Sequence, residues 1–149
     1  MPDTSNPALR RLLLALVLFG LIGTTCELLL LRHYESVWMI PPFVAMAIAA
    51  GGAFVRIVRP SAATVWAARL SMLPLLVIGA AGVWLHYLGG LAFQADMDPT
   101  LSRWQLMWKV VHMQAPPALA PGALVQLALL GLVSTYGDPL IVKPASKLS

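Results

Sequence analysis

Charged side chains are scarce in this chain of 149 residues, of which only 11% are Asp, Glu, Lys or Arg. A soluble globular domain usually carries about a quarter. Hydrophobic residues reach 59%, so the polar side chains are too few to cover a water-soluble core. The composition therefore excludes an ordinary soluble domain and predicts an integral membrane protein.

Other absences narrow the function classes. Cys26 is the single cysteine, which excludes an intramolecular disulfide and a cysteine-based zinc site. The chain has no basic stripe with interleaved aromatic residues, so nucleic acid is not an expected partner. It also lacks a glycine-rich phosphate loop, a Gly-x-Ser-x-Gly elbow and a His-Glu-x-x-His motif. These absences weigh against an enzyme without deciding the question.

Four apolar segments are long enough to cross lipid, since a helix needs about 20 apolar residues to span the ~30 Å hydrocarbon layer. They lie at about 12–31, 38–55, 70–89 and 118–136. The third segment could also begin earlier, near Ser61 after Pro60, and Pro74 should kink it or lie near its beginning. We therefore predict an all-α membrane protein with a single domain over residues 1–149. Its four transmembrane helices would form a bundle of two hairpins.

A fifth helical pattern lies between the third and fourth segments, at about 99–113. Asp98 is a good N-cap, and Pro99 suits the first helical position. Trp104 and Trp108 recur at helical spacing on one side, with polar residues on the other. This amphipathic helix would either lie in the outer membrane interface or cover the bundle, and the pattern does not choose between them.

Basic residues are divided unequally between the two sides of the predicted membrane. The following seven lie on the side of the N-terminus: Arg10, Arg11, Arg56, Arg59, Arg69, Lys143 and Lys147. The other side holds Arg32, Arg103 and Lys109. Because cytoplasmic loops carry the excess of Lys and Arg, we predict cytoplasmic N- and C-termini in a bacterial cytoplasmic (inner) membrane.

A short pattern occurs twice in the chain. "RHYESVWMIPP" follows the first segment, whereas "LHYLGG" ends the third and "MQAPP" precedes the fourth. Each hairpin thus contains a His-Tyr pair followed by Pro-Pro, and His33 and His86 occupy equivalent places. A true duplication would relate the hairpins by a pseudo-twofold axis. Ordinary interfacial residues would give the same pattern, so both explanations stay open.

Glu27 is the one carboxylate inside a predicted span. It lies about one turn, or ~6 Å, below the outer end of the first segment. An ionised and unpaired carboxylate is costly at that depth, and ionisable groups inside a membrane commonly mark a functional site. Glu27 is therefore either a proton- or ion-binding group or a structural acid that hydrogen-bonds neighbouring helices.

The three histidines, His33, His86 and His112, all fall on the predicted outer side with Glu35. Imidazoles with carboxylates can bind zinc, and imidazole with thioether suits copper. Histidines on two spans can also ligate haem. Interfacial histidine without a ligand is equally ordinary. The candidate ligand- or proton-binding residues are Glu27, His33, Glu35 and His86. The candidate metal ligands are His33, His86 and His112.

Three smaller features have structural interpretations. Gln126 is expected to be buried in the fourth span and to hydrogen-bond Thr24. Cys26 is expected to be a buried thiol. The short basic loop over about 56–69 is expected to touch anionic lipid headgroups.

Three function hypotheses follow from these patterns. The leading one is a non-catalytic subunit or scaffold of a larger membrane complex, partnered by lipid and by other membrane subunits or a second copy. The second is a metal-, proton- or haem-binding or transport protein that uses Glu27, His33, Glu35 and His86. The third is a membrane enzyme acting on lipid or quinone at the outer interface, although no residue stands out as a nucleophile.

Overall fold

The computed structural model describes residues 6–113 and 119–142. Every regular element within these ranges is helical. The α-helices are α1 (Pro7–Leu30), α2 (Pro41–Val58), α3 (Ala62–Met97), α4 (Arg103–Val111) and α5 (Leu119–Ser134). A 3₁₀ turn at Val37–Met39 precedes α2. The helical class predicted from the sequence is confirmed.

Three segments are long and apolar enough to cross a membrane: Pro7–Leu30, Val37–Val58 and Ala62–Met97. Helix α5 is apolar but has 16 residues, which gives it a length of about 24 Å. A hydrocarbon layer of ~30 Å is thicker than that. The structure therefore supports three spans by length, and the fourth predicted span is shorter within the described residues.

Helix α3 differs most from its predicted bounds. The sequence predicts a span at about 70–89, whereas the helix runs through 36 residues and measures about 54 Å. It begins with a capping box between Ser61 and Thr64, and Pro74 lies inside it. Its last turns extend beyond the bundle, because Gly82 already lies beside Pro121 in the first turn of α5.

The helices pack in a ring, in which α1 and α3 each contact both α2 and α5. Each helix thus has its chain neighbour beside it. The interior is built from medium and small apolar side chains. Its buried members are Leu14, Val17, Leu21, Leu28, Ala45, Met46, Ala49, Ala53, Met72, Leu75, Leu124 and Ala128.

Glycines bring the helix backbones together at several crossings. A β-carbon at Gly79 would lie 3.0 Å from the Pro121 carbonyl oxygen, and one at Gly131 would lie 2.6 Å from the Met72 sulfur. A β-carbon at Gly52 would overlap the Ser71 hydroxyl. Small residues allow such close approach in membrane bundles, where packing rather than water exclusion holds helices together.

Large apolar side chains cover the outside of the bundle. Phe19 is 75% exposed, Val77 64% and Val133 61%. These side chains come from three different helices, so the apolar surface surrounds the bundle rather than forming one patch. Bilayer lipid is the solvent that such a surface suits.

Helix α4 begins differently from the sequence prediction. Asp98 caps the C-terminus of α3 and does not begin α4. Ser102 is the N-cap of α4 and forms a capping box with Gln105. The prediction was wrong because Asp98 and Ser102 are both good caps, and the reciprocal Ser-x-x-Gln pair is the stronger start.

The faces of α4 are also assigned by the structure. Val110 is fully buried against Gly90 of α3, where a β-carbon would lie 2.9 Å from Val110. Trp104 and Trp108 stay 69% and 59% exposed, with their rings stacked 6.4 Å apart. One face of α4 thus covers α3, while its tryptophan face points away from the protein.

Arginines from three helices meet the C-terminal end of α5, which we call the arginine end. Arg10 donates to the Ser134 carbonyl oxygen at 2.8 Å and to that of Gly137 at 3.1 Å. Arg69 donates to the Thr135 carbonyl oxygen at 2.8 Å. The last carbonyls of a helix have no partner within it and carry its negative partial charge. The arginine side chains supply both the hydrogen bonds and the opposite charge.

One buried ion pair completes the arginine end. Arg56 Nη2 lies 2.6 Å from Asp138 Oδ2, and the two side chains are 12% and 2% exposed. Burial alone would raise the pKa of Asp138, but hydrogen bonds from Arg56 and the Leu140 amide, with the charges of Arg56 and Arg10, hold it below its ordinary value. Asp138 is therefore a carboxylate at neutral pH.

The predicted basic loop at 56–69 is corrected by this arrangement. Arg56 lies in the last turn of α2 and Arg69 lies within α3, and both side chains bond the end of α5 instead of facing lipid headgroups. The loop between the helices consists of residues 59–61 alone.

Candidate functional site at the histidine end

The opposite end of the bundle, which we call the histidine end, contains the end of α1, the start of α2, the middle of α3 and the start of α5. Helix α1 closes there with a Schellman arrangement: the His33 amide donates to the Leu28 carbonyl oxygen at 2.8 Å and the Arg32 amide to that of Leu29 at 3.0 Å. Arg32 takes a left-handed φ of 54°, a conformation in which glycine is usual. This turn brings His33 back over the end of the bundle.

A cleft of 620 Å³ opens at the histidine end. Glu27 from α1 and His86 from α3 both line it, together with the start of α5. Its other walls are mainly apolar or without side chains. They are formed by Leu85, Gly89, Gly90, Phe93, Met113, Leu119, Ala120 and Pro121.

A smaller cavity of 120 Å³ adjoins the cleft. His33 and His86 both line it, and His86, Ala120 and Pro121 belong to the walls of both spaces. His86 therefore lies between the cleft and the small cavity. The two histidines of the repeated pattern, 33 and 86, do come together in the fold.

The electrostatics of the small cavity reflect this proximity. Burial lowers the pKa of His33 below its ordinary value of 6.5, and the neighbouring charge of His86 lowers it further. A positive charge beside an imidazole opposes the protonation of that imidazole. His33 therefore favours the neutral form, in which it can both donate and accept a hydrogen bond.

Glu27, His33 and His86 share a second property. Within the described ranges, none of the three side chains takes part in a hydrogen bond or an ion pair. Glu35, by contrast, lies 3.1 Å from the Arg32 Nε on an exposed loop and lines neither space. The sequence grouped Glu35 with the other three as candidate residues, and the fold separates it from them.

His112 also lies apart from the paired histidines. Its ring packs against the Trp108 ring at a tilt of 30°, with centroids 4.0 Å apart, and its Nδ1 lies 2.9 Å from the Trp108 carbonyl oxygen. It lines neither the cleft nor the small cavity. Among residues 6–113 and 119–142, no three His, Cys, Asp or Glu side chains are grouped so as to hold a metal ion.

The haem hypothesis can be compared with the space available. A site that binds a drug-sized molecule usually has about 300–1,000 Å³. The cavity between His33 and His86 has 120 Å³, which suits a few water molecules at ~30 Å³ each rather than a macrocycle. Axial ligation by these two histidines would need the bundle to open at this end.

The sequence patterns did not identify several residues that line the cleft, and they predicted the wrong burial for two side chains. Phe93 and Pro121 carry no chemical motif, and only the α3–α5 packing brings them to Glu27. Gln126 and Cys26 were expected to be buried, yet both are exposed. The predicted bond between Gln126 and Thr24 is therefore wrong. A helix that is apolar on all sides gives no amphipathic pattern from which its inner face can be deduced.

Residues 114–118, which contain the second Pro-Pro pair, lie outside the described residues. The internal duplication is therefore not tested by the geometry around Pro116 and Pro117.

Comparison of the chain with protein families, with curated proteins and with solved structures finds no match.

Proposed function

We propose that this protein is a four-span membrane protein that binds a small bilayer-soluble molecule in the cleft at its histidine end. The observation that carries the proposal is the convergence of Glu27 and His86, from separate helices, on one 620 Å³ cleft. That volume lies within the range of about 300–1,000 Å³ typical of small-molecule sites. Apolar walls with a few converging polar groups are the usual composition of such a site.

The polar groups define the class of molecule. Glu27 can accept a hydrogen bond or pair with a cation, and the His86 ring offers two nitrogen atoms that can take part in hydrogen bonds. Neither side chain has another hydrogen-bond partner among the described residues, so a bound polar group would not compete with an existing contact. A molecule with an apolar body and one hydrogen-bonding head, such as a quinone or a lipid headgroup, fits these walls. A metal ion is disfavoured, because the described residues supply no group of three ligands.

Proton binding is part of the same proposal. The small cavity has room for a few waters beside His33 and His86, and water between imidazoles can pass a proton. Glu27 faces the neighbouring cleft, with His86 between the two spaces. The three side chains thus give a bound molecule access to groups that can exchange protons.

The membrane arrangement rests on charge and packing. Helix α5 packs between α1 and α3 along the bundle, so we assign it as the fourth span despite its length. The arginine end belongs on the cytoplasmic side, because the excess of basic residues lies there. The histidine end then opens on the outer side of a bacterial inner membrane, with Trp104 and Trp108 at the interface.

Purification in mild detergent followed by organic extraction and mass spectrometry tests the site. The wild type should retain a small molecule, and Glu27→Gln and His86→Ala should lose most of it. Glu35→Gln is the matched control, because it makes the same change in a carboxylate that lies outside both spaces. It should retain as much as the wild type.

Two results would contradict the site. If no small molecule is extracted from the wild type, the protein binds no such ligand. If Glu27→Gln and Glu35→Gln retain equal amounts, the ligand does not bind in the cleft. An absorption spectrum and a metal analysis of the same sample address the haem and metal alternatives. A Soret band or a stoichiometric metal would favour them over an organic molecule.

A non-catalytic subunit or scaffold of a membrane complex is the second candidate. The observation that favours it is a polar side chain, Gln126, on the outer surface of α5. Such a subunit can also hold a bound molecule, so the two proposals are compatible. The enzyme hypothesis has less support, because no serine, threonine, cysteine or lysine is among the described residues that line the cleft.

A further inference from the structure

Gln126 stands out on the lipid-facing surface of α5. It is exposed, and it is the polar residue in the middle of a helical segment that is otherwise apolar from Leu119 to Leu132. Its neighbours fix its depth. Leu127 lies against Gly20 near the middle of α1, and Val125 lies against Gly79 of α3. Gln126 is therefore at mid-depth in the bundle and far from either end.

The amide of Gln126 makes no hydrogen bond within the described part of the chain. Moving an amide from water to an apolar medium without a hydrogen-bond partner has a large free-energy cost. Water can reach neither side of this position if α5 spans the bilayer, because one side is packed and the other faces lipid. A partner outside the described residues would remove this cost.

We propose that Gln126 pairs with Gln126 of a second copy of this chain, with α5 packed against α5 across a twofold axis. An amide carries both a donor and an acceptor, so two identical amides can exchange two hydrogen bonds. A residue on the axis of a twofold dimer meets its own equivalent. A glutamine therefore complements itself, which a carboxylate or an ammonium group does not.

The surface around Gln126 allows the approach. Gly122 precedes it by one helical turn on the same face, and nothing lies within 4 Å of the β-carbon position there. Leu129 and Val133 continue the face and are 48% and 61% exposed. A second α5 can thus contact a small residue, an amide and two apolar side chains in sequence. The inference rests on the proposed fourth span.

Energy transfer between copies in liposomes tests the dimer. Cys26 is the single cysteine and is exposed on the surface of the bundle, so donor and acceptor dyes can be attached to it in detergent, before reconstitution, without another change. The wild type should show transfer that depends on the protein-to-lipid ratio. Gln126→Leu should raise the dissociation constant roughly tenfold, as expected for loss of an interhelical amide pair. Gln126→Asn should restore part of the transfer.

Val77→Ala is the control for an exposed position on another helix, and it should leave transfer at the wild-type level. No transfer in the wild type would overturn the proposal, as would equal transfer in Gln126→Leu. The latter result would assign any dimer to another face or to a different partner.

A second measurement separates this inference from the fourth span itself. Gln126→Cys in a Cys26→Ser background should resist a water-soluble maleimide. Labelling of that cysteine in intact liposomes would contradict both the fourth span and the dimer. Protection from labelling together with absent transfer in the wild type would contradict the dimer alone and leave α5 as a span.

Discussion

The two ends of the bundle hold polar side chains in opposite ways. At the arginine end, Arg56 of α2 pairs with Asp138 and Arg69 of α3 donates to the Thr135 carbonyl oxygen, so both helices are bonded to the segment that follows α5. At the histidine end, Glu27 and His86 face an open cleft and bond no described residue. Both ends have ionisable groups on several helices, and the difference lies in whether those groups are satisfied inside the protein.

This difference distinguishes a structural role from a binding role. A buried charge is tolerated when hydrogen bonds and an opposite charge surround it, and the arginine end meets that requirement without a ligand. Glu27 and His86 of the histidine end are exposed side chains, and neither bonds a described residue. Ionisable groups left in this condition at a membrane protein's cavity are candidates for binding or proton transfer.

The largest expected effect comes from breaking the arginine end. Asp138→Ala removes the partner of Arg56, whose side chain is 12% exposed, and leaves a buried cation without its carboxylate. Loss of one member of a buried pair costs about 3–5 kcal/mol. Denaturation in mixed detergent should therefore show a large fall in the free energy of unfolding, with little change in ligand retention per folded molecule.

Two variants show whether the ion pair is the cause. Combining Arg56→Met with Asp138→Leu should restore much of the loss, because no single charge is then left buried. Glu35→Ala breaks a pair whose members are 73% and 58% exposed and should cost at most about 1 kcal/mol. A small effect of Asp138→Ala would mean that the arginine end does not hold α5 in place.

Two glycines allow the tight packing near the arginine end to be compared with the open space at the histidine end. A β-carbon at Gly52 overlaps Ser71, whereas Gly89 lines the cleft and has nothing within 4 Å. Gly52→Val should lower the free energy of unfolding by about 1–3 kcal/mol, as overpacking does. Gly89→Val should leave stability near the wild-type value and reduce ligand retention, because the side chain occupies the cleft.

The free energy of unfolding should thus respond to Gly52→Val, and ligand retention to Gly89→Val. If Gly89→Val retains as much small molecule as the wild type, the cleft is not where the molecule binds. If Gly52→Val is as stable as the wild type, α2 and α3 are further apart than their backbones indicate.

The helices of this fold follow from composition, whereas their faces do not. Apolar runs of about 20 residues predict spans, and α1 and α2 lie near their predicted bounds. Helix α3 continues beyond residue 89 where its C-terminal turns are covered by α4 through Gly90 and Val110. Such a contact joins residues 20 positions apart, and no local pattern reveals it.

The candidate site was predictable in part. The repeated His-Tyr pattern singled out His33 and His86, and depth in the span singled out Glu27. Asp138 was missed, although its position in "YGDP" opposite many basic residues was an available indication of an ion pair. Which charges are paired depends on the packing of α5 against α1 and α3, and hydropathy does not contain that information.

The smallest predicted effect is a pH dependence at the histidine end. Burial, and then the charge of His86, lower the pKa of His33 below 6.5. The unfolded chain therefore binds a proton more readily than the folded protein between the lowered pKa and 6.5. Stability must fall as pH is lowered through this window and is unaffected by His33 well above it.

Unfolding measured from about pH 8 to about pH 5.5 should show this slope in the wild type. His33→Asn should lack the slope that this imidazole contributes. If the variant is less stable than the wild type at alkaline pH, the two free energies of unfolding should therefore converge as the pH is lowered. His86→Asn should keep the larger part of the slope, because burial is the main cause and the neighbouring imidazole the lesser one. Identical slopes in all three proteins would show that His33 does not titrate in the small cavity. That result would remove the electrostatic contrast between the two ends, since the histidine end would then respond to pH no differently from a solvent-exposed surface.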